Sequence, residues 1–215
     1  MGAEERLERA RELYEQAVFG GDVDATAAAD RELDAIEADL ALARGRIVHA
    51  RFLHERTEDP RESALFQRAA ELYQRLGDVR GEAEALFWIG TFHQVVRHDN
   101  ETAVPAFVRS YELATQAGDK LTMSYAIRHL GIAEHVAGRL DTARERLEES
   151  VQLRRELGFS AGVAMNLIGL AHIAVADGRA DEVPELLREA ESLAEASDAP
   201  GVLRWVGEAR ARLTR

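Results

Sequence analysis

Apolar residues recur at three- and four-residue spacing along almost the whole chain, with short clusters of Gly, Asp and Asn between the runs. This is the periodicity of amphipathic helices punctuated by turns. The first helix is expected from about Glu4 to Phe19, with Leu7, Ala10, Leu13, Tyr14 and Ala17 on one face. Gly20, Gly21 and Asp22 end it, and Asp22 or Asp24 can cap a second, Ala-rich helix through Ala29, Leu33, Ile36 and Leu40. No Gly or Pro follows until Gly45, so this helix either stops or runs into the stretch carrying Ile47, Ala50 and Phe52. Asp59-Pro60-Arg61-Glu62 is a helix start, with Asp as cap, Pro in the first turn and Glu reaching back. Leu65, Phe66, Ala69, Leu72, Tyr73 and Leu76 follow at helical spacing, and Gly77-Asp78 closes the helix.

Beyond Gly77 the pattern repeats. The octet Ala126 to Ala133 (AIRHLGIA) has counterparts at Ala85 to Phe92, Ala164 to Ala171 and Val202 to Ala209. Their glycines, Gly90, Gly131, Gly169 and Gly207, are separated by 41, 38 and 38 residues. Between the octets runs a second register: Ala103, Phe107, Ser110 and Leu113, then Ala143, Leu147, Ser150 and Leu153, then Val183, Leu187, Ala190 and Leu193, each set 40 residues after the last. Such spacing marks stacked helical hairpins, each burying its apolar face on the next. In the third hairpin nine residues separate Gly169 from Gly178. Either its first helix is longer, or the register slips by two and Ala171 takes the glycine position.

Leu130-Gly131 and Gly138-Arg139-Leu140-Asp141-Thr142-Ala143, with Leu147 beyond, resemble the Leu-Gly and Gly-x-x-x-x-Ala signature of the tetratricopeptide repeat. The 40-residue length is similar to the long variety found in bacterial regulators and in kinesin light chains. The resemblance implies an all-α fold, a right-handed superhelical solenoid of antiparallel helix hairpins, about five of them plus a C-terminal capping helix. It covers one domain over 1–215: divergent hairpins in 1–79, three regular repeats in 80–199, and a closing helix in 200–215.

Composition narrows the function classes. The chain is 46% hydrophobic and 31% charged, with no cysteine and no apolar run of membrane-spanning length. The charged start, Met1-Gly2-Ala3-Glu4-Glu5-Arg6, lacks the apolar core of a secretion signal, so a cytoplasmic location is expected. A net charge of −12 argues against nucleic acid as a partner, because phosphate binding needs a basic face. Lys120 is the single lysine, and the arginines are interleaved with Glu and Asp as on ion-paired helix faces.

In the resembled family the first helix of each hairpin lines a concave surface, and the third, fourth and seventh octet positions point into it. Here these are Phe87, Trp88 and Thr91; Arg128, His129 and Ile132; Asn166, Leu167 and Leu170; and Arg204, Trp205 and Glu208, with Tyr125 beside them. An aromatic surface carrying two arginines suits a protein or peptide ligand with apolar groups and an anionic end, with Arg128 and Arg204 making charge-assisted hydrogen bonds. The expected function is therefore a non-catalytic scaffold that binds a protein or peptide. Packing between repeats competes with binding for every one of these side chains. Phe87 and Thr91 stand where the family's chaperone-tail clamp has Lys and Asn, so that ligand is not expected.

The alternative is a small-molecule sensor or helical enzyme with a pocket around Trp88, Tyr125, Arg128, His129 and Asn166. Tyr125, Arg128 and His129 could supply acid–base chemistry, but no nucleophile or Gly-rich phosphate loop accompanies them. His93 and His172 share one register and are expected between helices, so neither metal nor cofactor is expected. A third reading is a homodimer through the last helix, around Val202, Trp205 and Leu213.

Overall fold

The computed structural model describes residues 1–213. They form α1 (Ala3–Gly20), α2 (Ala25–Glu55), α3 (Arg61–Leu76), α4 (Val79–Thr91) with a π-helical turn at Phe92–Val96, α5 (Asn100–Ala117), α6 (Lys120–Val136), α7 (Leu140–Glu156), α8 (Ser160–Ala176), α9 (Val183–Ala196) and α10 (Pro200–Leu213). No strand occurs among the described residues, and the fold is an all-α helical repeat. The last two residues of the closing helix expected to run to Arg215 lie outside the described residues. No described helix is long and apolar enough to cross a membrane. The helices group into two compact units, 1–99 and 100–215, so the first regular hairpin, α4 with α5, is divided between them.

In the first unit α1 packs on α2, α2 on α3 and α3 on α4. The open question at Gly45 resolves into one 31-residue helix, so 1–79 holds three helices rather than two hairpins. Gly45 remains inside α2 because Phe66 of α3 packs there: a Cβ at Gly45 would overlap the Phe66 ring. Phe66, Ala69, Leu72 and Tyr73 bury themselves on Ala38, Ala41 and Leu42. On α1 only Ala10 and Leu13 are buried, and Leu7 and Tyr14 face solvent. Asp59 Oδ1 accepts from the Arg61 backbone N–H at 2.9 Å, as a helix-start residue should. Glu62 does not reach back to it. It turns into the core, where Oε1 meets His49 Nδ1 at 2.7 Å.

In the second unit each helix from α5 to α10 packs on the next, and α8 also touches α6 and α10. The residues that close the helices set the true repeat. Left-handed residues follow first helices at His98, Gly138 and Gly178, and second helices at Gly118, Gly158 and Asp198. Both series step by 40 residues. Helices α6 and α8 are each 17 residues long, so the register slip is the correct reading of the third hairpin: Ala171, not Gly169, stands in the place of Gly131. Helix α10 starts 40 residues after α8, which puts Ala211 in that place and displaces its octet by four. Gly207 accordingly packs against nothing: a Cβ there would have no neighbour within 4 Å. One residue more separates the Asp78 cap from His98 than separates Asp119 from Gly138, and the π-helical turn after α4 absorbs it.

Candidate functional site

The expected concave residues fall into two groups. In the first unit Phe87 and Thr91 are buried, and the Thr91 hydroxyl donates to the Phe87 carbonyl at 2.9 Å. Trp88 is half-buried, stacked on Phe66 at 5.5 Å between ring centroids with the His49 ring on its edge side, and Arg46 lies 5.7 Å from its centroid. All three serve the local packing of α2, α3 and α4.

In the second unit Asn166 and His129 are buried as well. The His129 ring packs on Phe107 at 5.1 Å. Asn166 belongs to a polar network that links three helices. Its Nδ2 donates to Ser150 Oγ at 2.7 Å, Ser150 Oγ donates to the Ser124 carbonyl at 2.6 Å, and its Oδ1 accepts from Arg154 Nη1 at 3.1 Å. Arg154, only 2% exposed, also donates to the Gly162 carbonyl at 2.7 Å and to Ser124 Oγ at 3.3 Å. Its guanidinium lies 4.9 Å from the Tyr125 centroid and 5.6 Å from that of Phe159. Among the described residues no carboxylate pairs with it. Burial, and then the charge of Arg128, push it down to about 9. Sequence reasoning did not single out Arg154. Its signal is a charged residue 40 positions from Ala114 and Ala194, both fully buried.

A cleft of about 390 Å³ opens on the same unit across α6, α8 and α10. Arg128, Gly131, Ile132 and His135 line it from α6, with Ile168, Gly169 and His172 from α8 and Trp205, Glu208 and Arg212 from α10. The register slips explain this set. Stepping by 40 from Arg128 and Ile132 leads to Ile168 and His172, then to Glu208 and Arg212, whereas the octets point to Asn166, Leu170 and Arg204. Of the expected residues, Arg128, Ile132, Trp205 and Glu208 share the cleft. Tyr125 lies under Arg154, and Arg204 is exposed, 3.9 Å from Glu208. Arg128 makes no ion pair among the described residues; its Nη1 is 3.5 Å from His129 Nε2, and its buried Nε has no partner. Burial pushes this guanidinium down to about 10. The His172 imidazole is held below its ordinary range by burial, then by Arg212 and His135. Leu147 of α7 forms part of the floor, where a Cβ on either Gly131 or Gly169 would overlap it. Among the described residues no group of three His, Asp or Glu side chains is placed to hold an ion.

No protein-family model matches the chain, and no curated protein matches it in sequence. Among solved structures, the crystal structure of BtubC (BKLC) from P. vanneervenii is similar at a TM-score of 0.49, with 17% identity, over 92% of this chain and 93% of that one. That degree of likeness carries no argument about function.

Proposed function

We propose that the chain is a non-catalytic binding module of the tetratricopeptide-repeat kind, which takes a segment of a partner protein into the cleft formed by α6, α8 and α10. One observation carries this reading. Arg128, with no carboxylate of its own, shares a cleft with an apolar floor and the half-buried Trp205. Unpaired guanidinium groups and tryptophans at a concave surface are the side chains that dominate binding energy in protein interfaces. The resemblance of Gly131 to Leu147 to the repeat signature, and the 40-residue step of its helices, support the same reading. Arg128, His135 and His172 come with no nucleophile, and acid–base groups alone define no reaction.

The test is selection of displayed peptides on the full chain, followed by calorimetry with wild type, Arg128→Ala and Trp205→Ala. Peptides that bind wild type and lose at least about tenfold with either variant are the expected result. Native mass spectrometry of the protein purified from its own host provides the opposing outcome. A small molecule retained by wild type and lost by Arg128→Ala would replace this reading with a small-molecule pocket.

A further inference from the structure

The sign of the charge in the cleft is opposite to that of the chain. The protein has 39 Asp and Glu against 27 Lys and Arg, yet the cleft is lined by Arg128, His135, His172 and Arg212, with Glu208 as its one acidic side chain. Arg212, like Arg128, has no ion pair among the described residues. The basic groups also have an order along the cleft. Arg128 and His135 are seven residues apart on α6, on one face and separated by about 10 Å along the axis. His172 and Arg212 stand in the register of Ile132, and Arg212 and His135 both act on the His172 imidazole, which groups these three. Beside these basic groups the floor is Ile132, Ile168 and two glycines that have no side chains to fill it.

Resting on the binding reading above, we infer that the cleft receives an acidic amphipathic helix of the partner, with carboxylates at positions i and i+7 and aliphatic side chains at i+3 and i+4. One carboxylate meets Arg128, the other meets the cluster of His135, His172 and Arg212, and the aliphatic side chains cover the floor beside Trp205. A helix suits the spacing because its positions i, i+3, i+4 and i+7 share one face and span the same two turns as Arg128 and His135. Charge complementarity favours an acidic occupant, since neither Arg128 nor Arg212 has an ion-pair partner among the described residues.

The experiment uses the full chain and three Ala-rich peptides of about 18 residues, long enough to populate a helix. The first carries Glu at i and i+7 with Leu at i+3 and i+4; the second has Gln for both Glu; the third moves the second Glu to i+5, on another face. At low salt the first should bind at least about tenfold tighter than the other two, and the gap should narrow in high salt. Arg128→Gln should remove most of the gap. Glu208→Gln should tighten the acidic peptide about threefold, a gain that misfolding cannot produce.

Lowering the pH from about 7.5 to about 5.5 should strengthen binding of the Glu peptide and leave the Gln peptide unchanged, because a carboxylate seated beside His172 favours its charged imidazole. The groups facing His172 in the cleft are Arg128 and His135 from α6 and Arg212 and Glu208 from α10, while α7 adds only Leu147. Equal binding of all three peptides would overturn this inference and leave the binding reading standing. Binding of none, with no peptide recovered by selection either, would overturn both.

Discussion

His49 Nδ1 and Glu62 Oε1 lie 2.7 Å apart where α2 meets α3, with both side chains buried and Glu62 fully so. The other carboxylate oxygen, Glu62 Oε2, is buried without a hydrogen-bond partner. A carboxylate in this position is held by the imidazole alone. Removing one partner strands the other, which typically costs more than removing both.

His49→Leu is therefore expected to destabilise the first unit by about 3 to 5 kcal/mol. The double substitution His49→Leu, Glu62→Met should cost clearly less than that single change. Urea unfolding of the two single variants and the double completes the cycle. Additive costs would mean that the pair is not coupled.

Leu147 is wedged between Gly131 of α6 and Gly169 of α8, and a Cβ on either glycine would overlap one of its methyl groups. At Gly131 the added carbon would also lie 3.1 Å from the Ala143 backbone oxygen, which cannot rotate away. Gly131→Ala should thus cost about 1 to 3 kcal/mol despite the better helix propensity of Ala. Gly169→Ala meets only the movable Leu147 side chain and should cost less. Thermal denaturation of the two variants ranks them, and the reverse order would refute this account of the wedge.

These two sites show how much of the chain was legible. Helix positions and the repeat were readable because amphipathic periodicity and turn residues are local signals. The octet was a less dependable ruler than the helix ends. Glycine marks close approach, and close approach can occur at more than one level of a helix, so Gly169 packs on Leu147 while Ala171 holds the equivalent of Gly131. The second-helix sets, stepping by 40 without exception, already contained the correct register. Applied to the first helices, they point to Ile168 and Glu208 instead of Asn166 and Arg204, and to His172 and Arg212 instead of Leu170 and Glu208. The pairing of Glu62 with His49 was hidden for a different reason. A Glu three residues after Asp59 fits a capping box, and no local pattern says that a histidine from the preceding helix faces it.

The network of Ser124, Ser150, Arg154 and Asn166 ties α6, α7 and α8 to one another through buried hydrogen bonds. Asn166→Leu leaves Arg154 with one acceptor fewer, and Arg154→Met leaves the Asn166 Oδ1 without its donor. Each should cost about 1 to 3 kcal/mol in chemical denaturation. Since both remove the bond between Arg154 and Asn166, the double variant should cost less than the two together. Independent effects would show that Arg154 is held by its aromatic neighbours Tyr125 and Phe159 rather than by Asn166.

His172 gives the second unit a predictable dependence on pH. Its pKa is lowered from 6.5 by burial, and then by the nearby Arg212 and His135. The unfolded chain therefore takes up a proton at a pH where the folded chain does not. Stability should be unaffected above the unfolded value and should fall as the pH drops below about 6.5, until the folded-state value is reached. The side chain is only half-buried, so solvent screening keeps the loss small. Calorimetry at about pH 7.5, 6 and 5 on wild type and His172→Gln isolates the effect, because the other carboxylates and histidines titrate in both proteins. The variant should lose less stability on acidification than wild type. A bound anion should remove the difference by favouring the charged imidazole, so the acidic peptide that occupies the cleft should protect wild type more at pH 5 than at pH 7.5.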